Sequence, residues 1–513
     1  MVVTSTSVDT QNSGALRLGS WGQAVLILSV AIGSYFQTWV DLWPYWEGTT
    51  GSYSHGSLVA LAAVWLLWRE RSVVKLIDPT PSARAVPIIL FFSAIWLLAA
   101  RANIFNLYTT VWPILAFAAL WVGLGLQAAS RFALPLGFLY FAIPVWDFLQ
   151  PPLQAIATAM MGLFTYLLGI PAVLDGNYIT LPTQTIFVAE DCSGAYFLCI
   201  SLAIGVLAGV VRDDTPRTRI LILVIFGFLS MAFNWLRILI ITLAYLHSGM
   251  NYALDWMGGH VVFGWWIFAF GLLTFSLVLH FIPRSPRRDT ASQQPAQKVQ
   301  TRSNNNAGLS MSILALVVLP VIASALPSFD HYPMETPGPG SGLSREKTGV
   351  FAPDLGWRPH YPGAVWEERL AFATNEGAMV EVYGNRFHEQ TQGNELISGV
   401  SYLFDYSLFS PTSSQIINLE DAKGQPFSAR RDILTDSSGR LWVTLYTYLV
   451  DNDPIANSRR VQLTTALRSV YSRATVGVIA VASPCVETCD SQISDIEDAF
   501  MTVFMEYREI FGD

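Results

Sequence analysis

Long stretches with almost no charged residue constrain this chain more than any other feature of its sequence. They lie near residues 21–38, 56–68, 85–100, 109–127, 132–147, 152–170, 194–211, 219–246, 261–283 and 309–326. A helix of about 20 apolar residues crosses the hydrocarbon core of a bilayer, and a helix satisfies its own backbone hydrogen bonds there. The larger, N-terminal part of the chain is therefore predicted to be an all-α polytopic membrane protein.

The composition agrees with this fold class and excludes several functions. The chain is 52% apolar and 13% charged, whereas about 25% of the residues of an ordinary soluble domain are charged. With a net charge of −8 and no basic face, nucleic acid is not expected as a partner. Four cysteines in 513 residues cannot build a disulfide scaffold. The sequence contains no HExxH, CxxC or P-loop motif, so we expect no metal and no cofactor.

The character of the chain changes at about residue 327. Apolar runs shorten, and β-type stretches such as "AMVEVYGNRF", "LWVTLYTYLV" and "TVGVIAVASP" alternate with Pro, Gly and charged residues. A final segment, "ISDIEDAFMTVFMEYREIF", has the apolar spacing of a helix. Residues 327–513 are therefore predicted to form a soluble α+β domain. It follows a polar, basic linker over 284–308 and a transmembrane helix over 309–326.

Basic residues flank three loops, which are expected to be cytoplasmic because Lys and Arg concentrate on that side of membrane proteins. These residues are Arg69, Arg71, Lys75 and Arg84 in the first loop, Arg212, Arg217 and Arg219 in the second, and Arg284, Arg287, Arg288, Lys298 and Arg302 in the third.

The number of crossings between the first two basic loops conflicts with this assignment. Four apolar segments separate the first basic loop from the loop that holds Cys192. If all four crossed the membrane, the Cys192 loop would be cytoplasmic. It must be external, however, because one span separates it from the internal loop 212–219. The segment 152–170 carries Gln154, Thr158 and Thr165 along one helical side, which favours a helix lying in the membrane interface. The sequence thus predicts about nine crossings plus one interfacial helix, with a cytoplasmic tail over 1–20 and an external C-terminal domain.

This topology brings several chemically distinctive residues to the outer ends of their helices. Cys192 precedes the span that begins near 194, and His55 precedes the second span. His260 lies at the start of the span near 261–283, which enters the membrane from the same side as the span after Cys192. Arg237, in "FNWLRILIITLAYL", approaches the outer headgroups and shares a helical side with Asn234. A candidate nucleophile, a candidate base and a fixed cation are therefore expected at one depth.

Each of these residues also has a structural interpretation. A lone cysteine in a membrane helix is usually a packing residue, an arginine near a helix end can extend to the interface, and His260 can be an interfacial side chain. The start of a helix favours a thiolate at Cys192, whereas the neighbouring Glu190 and Asp191 oppose it. Position alone leaves the two interpretations of Cys192 open.

Four pieces of the sequence resemble the exosortase/archaeosortase family of multipass membrane cysteine transpeptidases. They are "YSHGSLV" (53–59), "GNYITLPTQTIFVAEDCSGAYFL" (176–198), "NWLRI" (234–238) and "GGHVVFGW" (258–265), in family order over roughly residues 20–283. The resemblance identifies 21–283 as an exosortase membrane domain of a bacterial inner membrane, with its active site on the periplasmic side.

The resemblance also implies roles for individual residues. Cys192 would be the nucleophile, Arg237 the group that stabilises the oxyanion or thiolate, and His260 the acid and base. Supporting or substrate-binding residues would be His55, Asn234, Glu190, Ser193 and Gly194. The implied substrates are exported proteins with a C-terminal sorting signal, made of a Pro-Glu-Pro (PEP-CTERM) type motif, a helix and a basic tail. Asp191 departs from the family pattern, and its charge makes a compensating cation such as Arg237 more important.

The C-terminal part is similar to the exosortase-associated domain linked to methanolan-type exopolysaccharide biosynthesis. The residues that carry this likeness are "YGNRFHEQTQGNELISGVSYLF" (383–404) and "LWVTLYTYLV" (441–450). Cys485 and Cys489 can form a disulfide in an oxidising compartment or remain two thiols, and the sequence leaves both possibilities open.

A non-enzymatic role is the alternative hypothesis. A polysaccharide export or assembly component would also have several spans and an external domain. Such a component has no need for a cysteine, an arginine and a histidine that converge at one depth.

Overall fold

A computed structural model of the protein describes residues 18–47, 53–101, 104–175, 178–181, 185–188, 192–248, 259–284, 305–325, 356–373, 379–387, 395–397, 401–404, 409–421, 424–436, 439–469, 472, 474–485 and 489–511. The chain divides into two units. One comprises Met1–Ile95 with Thr109–Ala323, and the other comprises Trp96–Tyr108 with Ser324–Asp513.

The N-terminal part is helical, as its apolar segments predict. In chain order its helices are α1 (Ser20–Ser34), α2 (Phe36–Glu47), α3 (Gly56–Val74), α4 (Val86–Arg101), α5 (Phe105–Leu124), α6 (Leu126–Ala129), α7 (Ala133–Phe138), α8 (Gln150–Leu167), α9 (Ala195–Val211), α10 (Pro216–Ser248), α11 (Gly259–Phe281) and α12 (Asn305–Ala325). Between α8 and α9 lies a small antiparallel sheet of β1 (Val173–Asp175), β2 (Tyr178–Thr180) and β3 (Thr185–Phe187).

Several of these helices are long and apolar enough to cross a membrane, which indicates a multi-pass membrane protein. Within the described residues, five helices meet that requirement, and seven spans result if two bent pairs each count as one. The pairs are Ser20–Ser34 with Phe36–Glu47, bent by 78°, and Leu126–Phe141 with Pro144–Leu167, bent by 62°. The predicted nine crossings are not confirmed by this count, which leaves out α9, an apolar helix of 17 residues.

The apolar segment 132–147 differs from its prediction as a single span. It folds into the short helix α7 and irregular turns on both sides, including 3-10 turns at Leu139–Phe141 and Pro144–Leu149. Pro135 lies within α7 and does not end it, whereas Pro144 stands at the bend of 62° between Leu126–Phe141 and Pro144–Leu167. Pro144 lacks the backbone N–H that a continuous helix requires, and its ring clashes with the preceding turn. Hydropathy therefore detected an apolar segment that Pro144 breaks.

Helix α8 turns its polar side inward, and its predicted position in the membrane interface stays a prediction. Gln154, Thr158 and Thr165 are buried, whereas Ile156 and Leu163 are exposed. The Gln154 amide donates to the Val188 carbonyl, and the two threonine hydroxyls donate to carbonyls of their own helix. In an apolar environment these polar groups are stabilised by partners within the protein, so the exposed side of the helix is the apolar one.

Arginines fasten three helices together at their C-terminal ends. Arg69 of α3 donates to the Val210 carbonyl at the end of α9, at 3.0 Å, and pairs with Asp213. Arg212 pairs with Asp214 at 2.8 Å and donates to the Ile282 carbonyl just beyond α11, also at 2.8 Å. The last carbonyls of a helix lack partners within it, and these guanidinium groups supply them. We call this the basic end of the bundle.

Helices α1 and α12 also begin at the basic end. The Ser20 hydroxyl at the start of α1 donates to the Ile77 carbonyl, just after α3, at 2.6 Å. Near the start of α12, a Cβ on Gly308 would lie 2.2 Å from Cβ of Pro81, in the loop between α3 and α4. Both helices therefore run from the basic end into the bundle.

The C-terminal part contains a seven-stranded antiparallel sheet. Its strands are β4 (Trp366–Ala373), β5 (Met379–Phe387), β6 (Phe409–Glu420), β7 (Pro426–Asp436), β8 (Leu441–Val450), β9 (Asp453–Ile455) and β10 (Val476–Pro484), and its helices are α13 (Ser458–Arg468) and α14 (Asp490–Phe511). The order is β4-β5-β10-β8-β7-β6, with β9 paired to β8. A sheet-rich domain at this place agrees with the prediction.

Both faces of this sheet are covered, which explains why its central strands have buried residues at successive positions. Strand β10 is buried from Val476 to Ser483. On one face, α14 packs its apolar side against the strands, with Phe504 stacked on Phe427 at 4.4 Å between ring centroids. On the other face, Trp357 and Trp442 belong to a second aromatic cluster.

The structure settles the state of the two C-terminal cysteines. Cys485 and Cys489 form a disulfide, and both are buried in the cluster beneath α14. Cys192 and Cys199 are thiols.

Candidate functional site

The starts of α3 and α9 meet at the end of the bundle opposite the basic end, together with the turn that follows α7. His55, which precedes α3, contacts the Phe141 carbonyl through Nε2 at 3.0 Å. The Cys199 thiol, one turn into α9, lies 3.6 Å from the same carbonyl and 4.0 Å from His55 Nε2. Phe141 and Cys192 therefore both lie at the end of the bundle opposite the basic end, and the chain between them forms α8 and the small sheet.

Cys192 is held by a hydrogen bond from the long helix α10. The Asn234 side chain, which is fully buried, donates from Nδ2 to the Cys192 carbonyl at 2.8 Å. Cys192 itself is half-buried and packs against an apolar cluster that includes Ile238 of α10. A buried amide that bonds a backbone carbonyl fixes the position of that peptide. Asn234 therefore determines where the cysteine stands relative to α10.

Gly194 permits the close approach of this loop to α10. Its φ of +89° lies in the left-handed region, where residues with a Cβ are strained. A Cβ at this position would lie 2.8 Å from Nδ2 and 2.9 Å from Cγ of Asn234, and 3.0 Å from Met231. Both the backbone conformation and the space require glycine, so the turn between Cys192 and α9 depends on it.

Arg237 lies one turn beyond Asn234 on α10 and is buried. Its guanidinium carbon lies 5.8 Å from the centroid of the Phe197 ring in α9, in a cation–π geometry. On α11, a Cβ added to Gly264 would lie 3.4 Å from both Cζ and Nε of Arg237. The guanidinium is therefore held between α9 and α11, near the residue that anchors Cys192.

His260 belongs to the first turn of α11, one helical turn before Gly264. Residues four apart lie on the same side of a helix, so the backbone of His260 lies on the side of α11 that contacts Arg237. Its side chain is outside the described residues. The spacing thus places His260 and Gly264 on one side of α11, and Gly264 is the residue that approaches Arg237 of α10.

The structure places the predicted supporting residues in different surroundings. Ser193 is fully buried, and its hydroxyl accepts from the Ala195 amide at 3.3 Å. His55 contacts the Phe141 carbonyl and the Cys199 thiol, one turn into α9. Glu190, like Asp191, lies outside the described residues.

A group of polar residues near the start of α9 was missed by the sequence analysis. Tyr53, Asp147, Gln150 and Tyr196 bond one another beside His55. The signal was available, because Asp147 and Gln150 interrupt an otherwise apolar stretch and such residues are rarely without partners there.

The arrangement is suited to nucleophilic chemistry. A thiol is the strongest nucleophile among the side chains once it is deprotonated. A buried guanidinium offers planar donors for an anion that develops next to it, and an imidazole can accept and return a proton near neutral pH. Among the described residues, no group of three or more His, Cys, Asp or Glu side chains could hold a metal ion.

The fold defines a multi-pass membrane protein, and at one end of its helical bundle the Cys192 carbonyl is bonded by Asn234, one turn before the buried Arg237. Residues 46–277 match the family described as Transmembrane exosortase (Exosortase_EpsH), and the match spans just under half of the chain. No curated protein and no solved structure matches the chain. The resemblance that the four motifs predicted is thus confirmed for 46–277, whereas the predicted exosortase-associated domain remains a prediction.

Replacing Gly194 with alanine is expected to destabilise the turn between Cys192 and α9 by about 1–3 kcal/mol, the cost of a left-handed non-glycine residue. The clash with Asn234 adds to this cost. Thermal unfolding of the purified protein measures the effect. Gly227→Ala is the matched control on the facing helix, because its new Cβ would make ordinary contacts at 3.4 and 3.7 Å. Equal stability of the two variants would contradict the assigned turn geometry.

Proposed function

We propose that this protein is an exosortase-type cysteine protease or transpeptidase that processes exported proteins at the outer face of a bacterial inner membrane. The family match over 46–277 contains Cys192, Arg237 and His260. The observation that carries the proposal is the contact between Asn234 and the Cys192 carbonyl, because Arg237 is one helical turn from Asn234 on α10.

The proposed reaction has two steps. The Cys192 thiolate attacks the carbonyl carbon of the scissile peptide bond, and Arg237 stabilises the negative charge that develops on the oxygen. The C–N bond then breaks, the leaving amine takes a proton from His260, and a thioester remains on Cys192. An external amine or water attacks the thioester after giving a proton to His260, the C–S bond breaks, and the thiolate is regenerated.

The proposed substrate is itself a membrane helix preceded by a short polar motif of the Pro-Glu-Pro type and followed by a basic tail. Insertion in the bilayer restricts the depth and tilt of such a helix, which supplies much of the positioning that catalysis requires. The polar motif of the substrate would lie just above its own apolar segment. A cysteine at the outer end of α9 stands at that depth.

The proposed topology has the basic end in the cytoplasm. Arg69 and Arg212 at that end agree with the distribution of basic residues in membrane proteins, and the sites at the starts of α9 and α11 then lie outside. Nine crossings of the chain and an extracytoplasmic domain over 327–513 complete this proposal. The Cys485–Cys489 disulfide supports the outer location of that domain, because disulfides persist in oxidising compartments. A role linked to exopolysaccharide follows from the likeness of its sequence.

The alternative is a non-enzymatic component of polysaccharide export or assembly. The spans and the sheet-rich domain suit it equally well. It gives no reason for a glycine-dependent turn that packs the cysteine loop against Asn234, one turn from a buried arginine, and for that reason we favour the enzyme.

Chemical blocking of Cys192 in intact cells tests both the chemistry and the side of the membrane. Cells express a variant in which Cys199, Cys485 and Cys489 are serine, together with an exported reporter that ends in a sorting signal. A membrane-impermeant maleimide is expected to label Cys192 from outside and to stop processing of the reporter. The matched control carries Cys192→Ser in the same background and is expected to remain unlabelled.

Two results would contradict the proposal. Labelling only after the cells are opened would place Cys192 on the cytoplasmic side and reverse the topology. Undiminished processing by a fully labelled protein would favour the non-enzymatic component.

A further inference from the structure

Four side chains near the start of α9 form a connected hydrogen-bonded group, the tyrosine–carboxylate cluster of Tyr53, Asp147, Gln150 and Tyr196. The Tyr53 hydroxyl donates to Oδ1 of Asp147 at 2.9 Å, and the Gln150 amide donates to the same oxygen at 3.2 Å. The Gln150 amide also donates to the Tyr196 hydroxyl. Asp147 is thereby linked through Gln150 to Tyr196 on α9.

Aromatic contacts reinforce these hydrogen bonds. The Tyr53 ring meets the Tyr196 ring edge-on, with 5.6 Å between centroids and an interplanar angle of 81°. On its other side, Tyr53 stacks on His55 at 5.8 Å. Edge-on and offset contacts of this kind favour one relative orientation of the rings. The cluster therefore joins three parts of the chain: the residues before α3, the start of α8 and the first turn of α9.

The first turn of α9 is adjacent to the candidate nucleophile. Tyr196 is the second residue of α9 and follows Cys192 by four residues, with the left-handed Gly194 between them. On the N-terminal side of Gly194, the Asn234 amide donates to the Cys192 carbonyl. The loop of Cys192 thus has two anchors, Asn234 on α10 and Tyr196 in the cluster.

The chemistry of the cluster argues for orientation rather than for stability alone. A carboxylate and an amide that leave water lose solvation, and their hydrogen bonds only roughly compensate for it. Apolar side chains of the same shape would stabilise the packing at least as well. What hydrogen bonds add is a defined geometry, which polar groups in an apolar environment can specify.

We propose that the tyrosine–carboxylate cluster is a positioning device for Cys192, with Asp147 and Tyr196 as positioning residues that act through the first turn of α9. The cluster fixes the rotation of this turn, and the turn fixes the direction of the Cys192 side chain relative to Arg237. The effect of the cluster on catalysis rests on the proposed function, whereas its effect on the reactivity of the Cys192 thiol does not.

The rate at which Cys192 is alkylated by a maleimide tests the positioning directly. Purified full-length protein is used, with Cys199 replaced by serine and the Cys485–Cys489 disulfide intact, and the modified peptide is quantified by mass spectrometry. Tyr196→Phe and Asp147→Asn each weaken or remove hydrogen bonds of the cluster. Each is expected to change the alkylation rate about fivefold, the order of one net hydrogen bond. In the processing assay the same variants are expected to lower kcat with little change in KM.

Tyr140→Phe provides the matched control. The Tyr140 hydroxyl donates to the Thr110 carbonyl at 3.1 Å, so the variant removes a tyrosine hydrogen bond from the same bundle outside the cluster. It is expected to leave the alkylation rate within twofold of the parent. If Tyr196→Phe fails to insert into the membrane, Tyr53→Phe replaces it, since Tyr53 donates to the same Asp147 oxygen as Gln150, which links Asp147 to Tyr196.

Alkylation rates of the cluster variants that match the control would overturn the positioning role. A fivefold change in both variants, together with the split between kcat and KM, would support it. Because alkylation needs no turnover, the two proposals can fail separately. Processing that survives Cys192→Ala removes the proposed function and leaves the alkylation result valid.

Discussion

Replacing Cys192 with alanine is expected to reduce processing of an exported reporter with a C-terminal sorting signal by at least about a thousandfold, the scale on which loss of a covalent nucleophile acts. Without the thiol, no thioester can form, and Arg237 has no tetrahedral intermediate to stabilise. Cleavage is measured as the size shift of the reporter in membranes that contain equal amounts of the variant and the parent protein.

Cys199→Ala is the matched control for this experiment. Cys199 is a second thiol, one turn into α9, but it is fully buried against Phe141 and His55, away from any substrate peptide. Its variant is expected to retain most of the activity. Loss of processing in the Cys199 variant alone, with full processing in the Cys192 variant, would exchange the roles of the two thiols.

Replacing Arg237 with lysine is expected to lower the rate of processing about 100-fold to 1,000-fold, as does the loss of an oxyanion donor in other acyl-transfer enzymes. The guanidinium is planar and lies between the Phe197 ring and the surface around Gly264. The lysine ammonium keeps the charge but offers no planar fork of donors. Single-turnover cleavage of the reporter measures the effect on the chemical steps.

Arg219→Lys serves as the comparison, because Arg219 is on the same helix at the basic end, where it packs against Gly209. This variant is expected to process the reporter normally. Near-normal activity of the Arg237 variant would make Arg237 a structural anchor and remove it from the proposed reaction.

The sequence predicts those parts of the structure that depend on local periodicity. Asn234 and Arg237 share a side of α10 because they are three residues apart, and no other information is needed to see it. Runs of apolar residues likewise predict helices, and the shift to short alternating segments after residue 327 predicts the sheet. The final helix follows from the spacing of Ile496, Phe500 and Phe504.

Features that depend on distant partners are invisible to the same reasoning. The polar side of α8 points inward because Gln154 finds the carbonyl of Val188, which is 34 residues away. The contact between Asn234 and Cys192 spans 42 residues, and the one between Tyr53 and Asp147 spans 94. The break in the segment 132–147 has a local cause, Pro144, but hydropathy averaged over a long window does not detect a single proline.

The arginine contacts at the basic end form in an order that follows from the order of synthesis. Arg69 of α3 is synthesised before α9. The Val210 carbonyl that it bonds is made later, so α9 can dock onto a helix that is already inserted. Arg212, by contrast, precedes its partner at Ile282 and must wait for α11 to be translated. A nascent chain that stops before α11 therefore has an incomplete basic end. Helix α11, which carries His260, completes the contacts of the basic end. The insertion of α11 therefore completes these contacts and adds His260 to the bundle in one step of biogenesis.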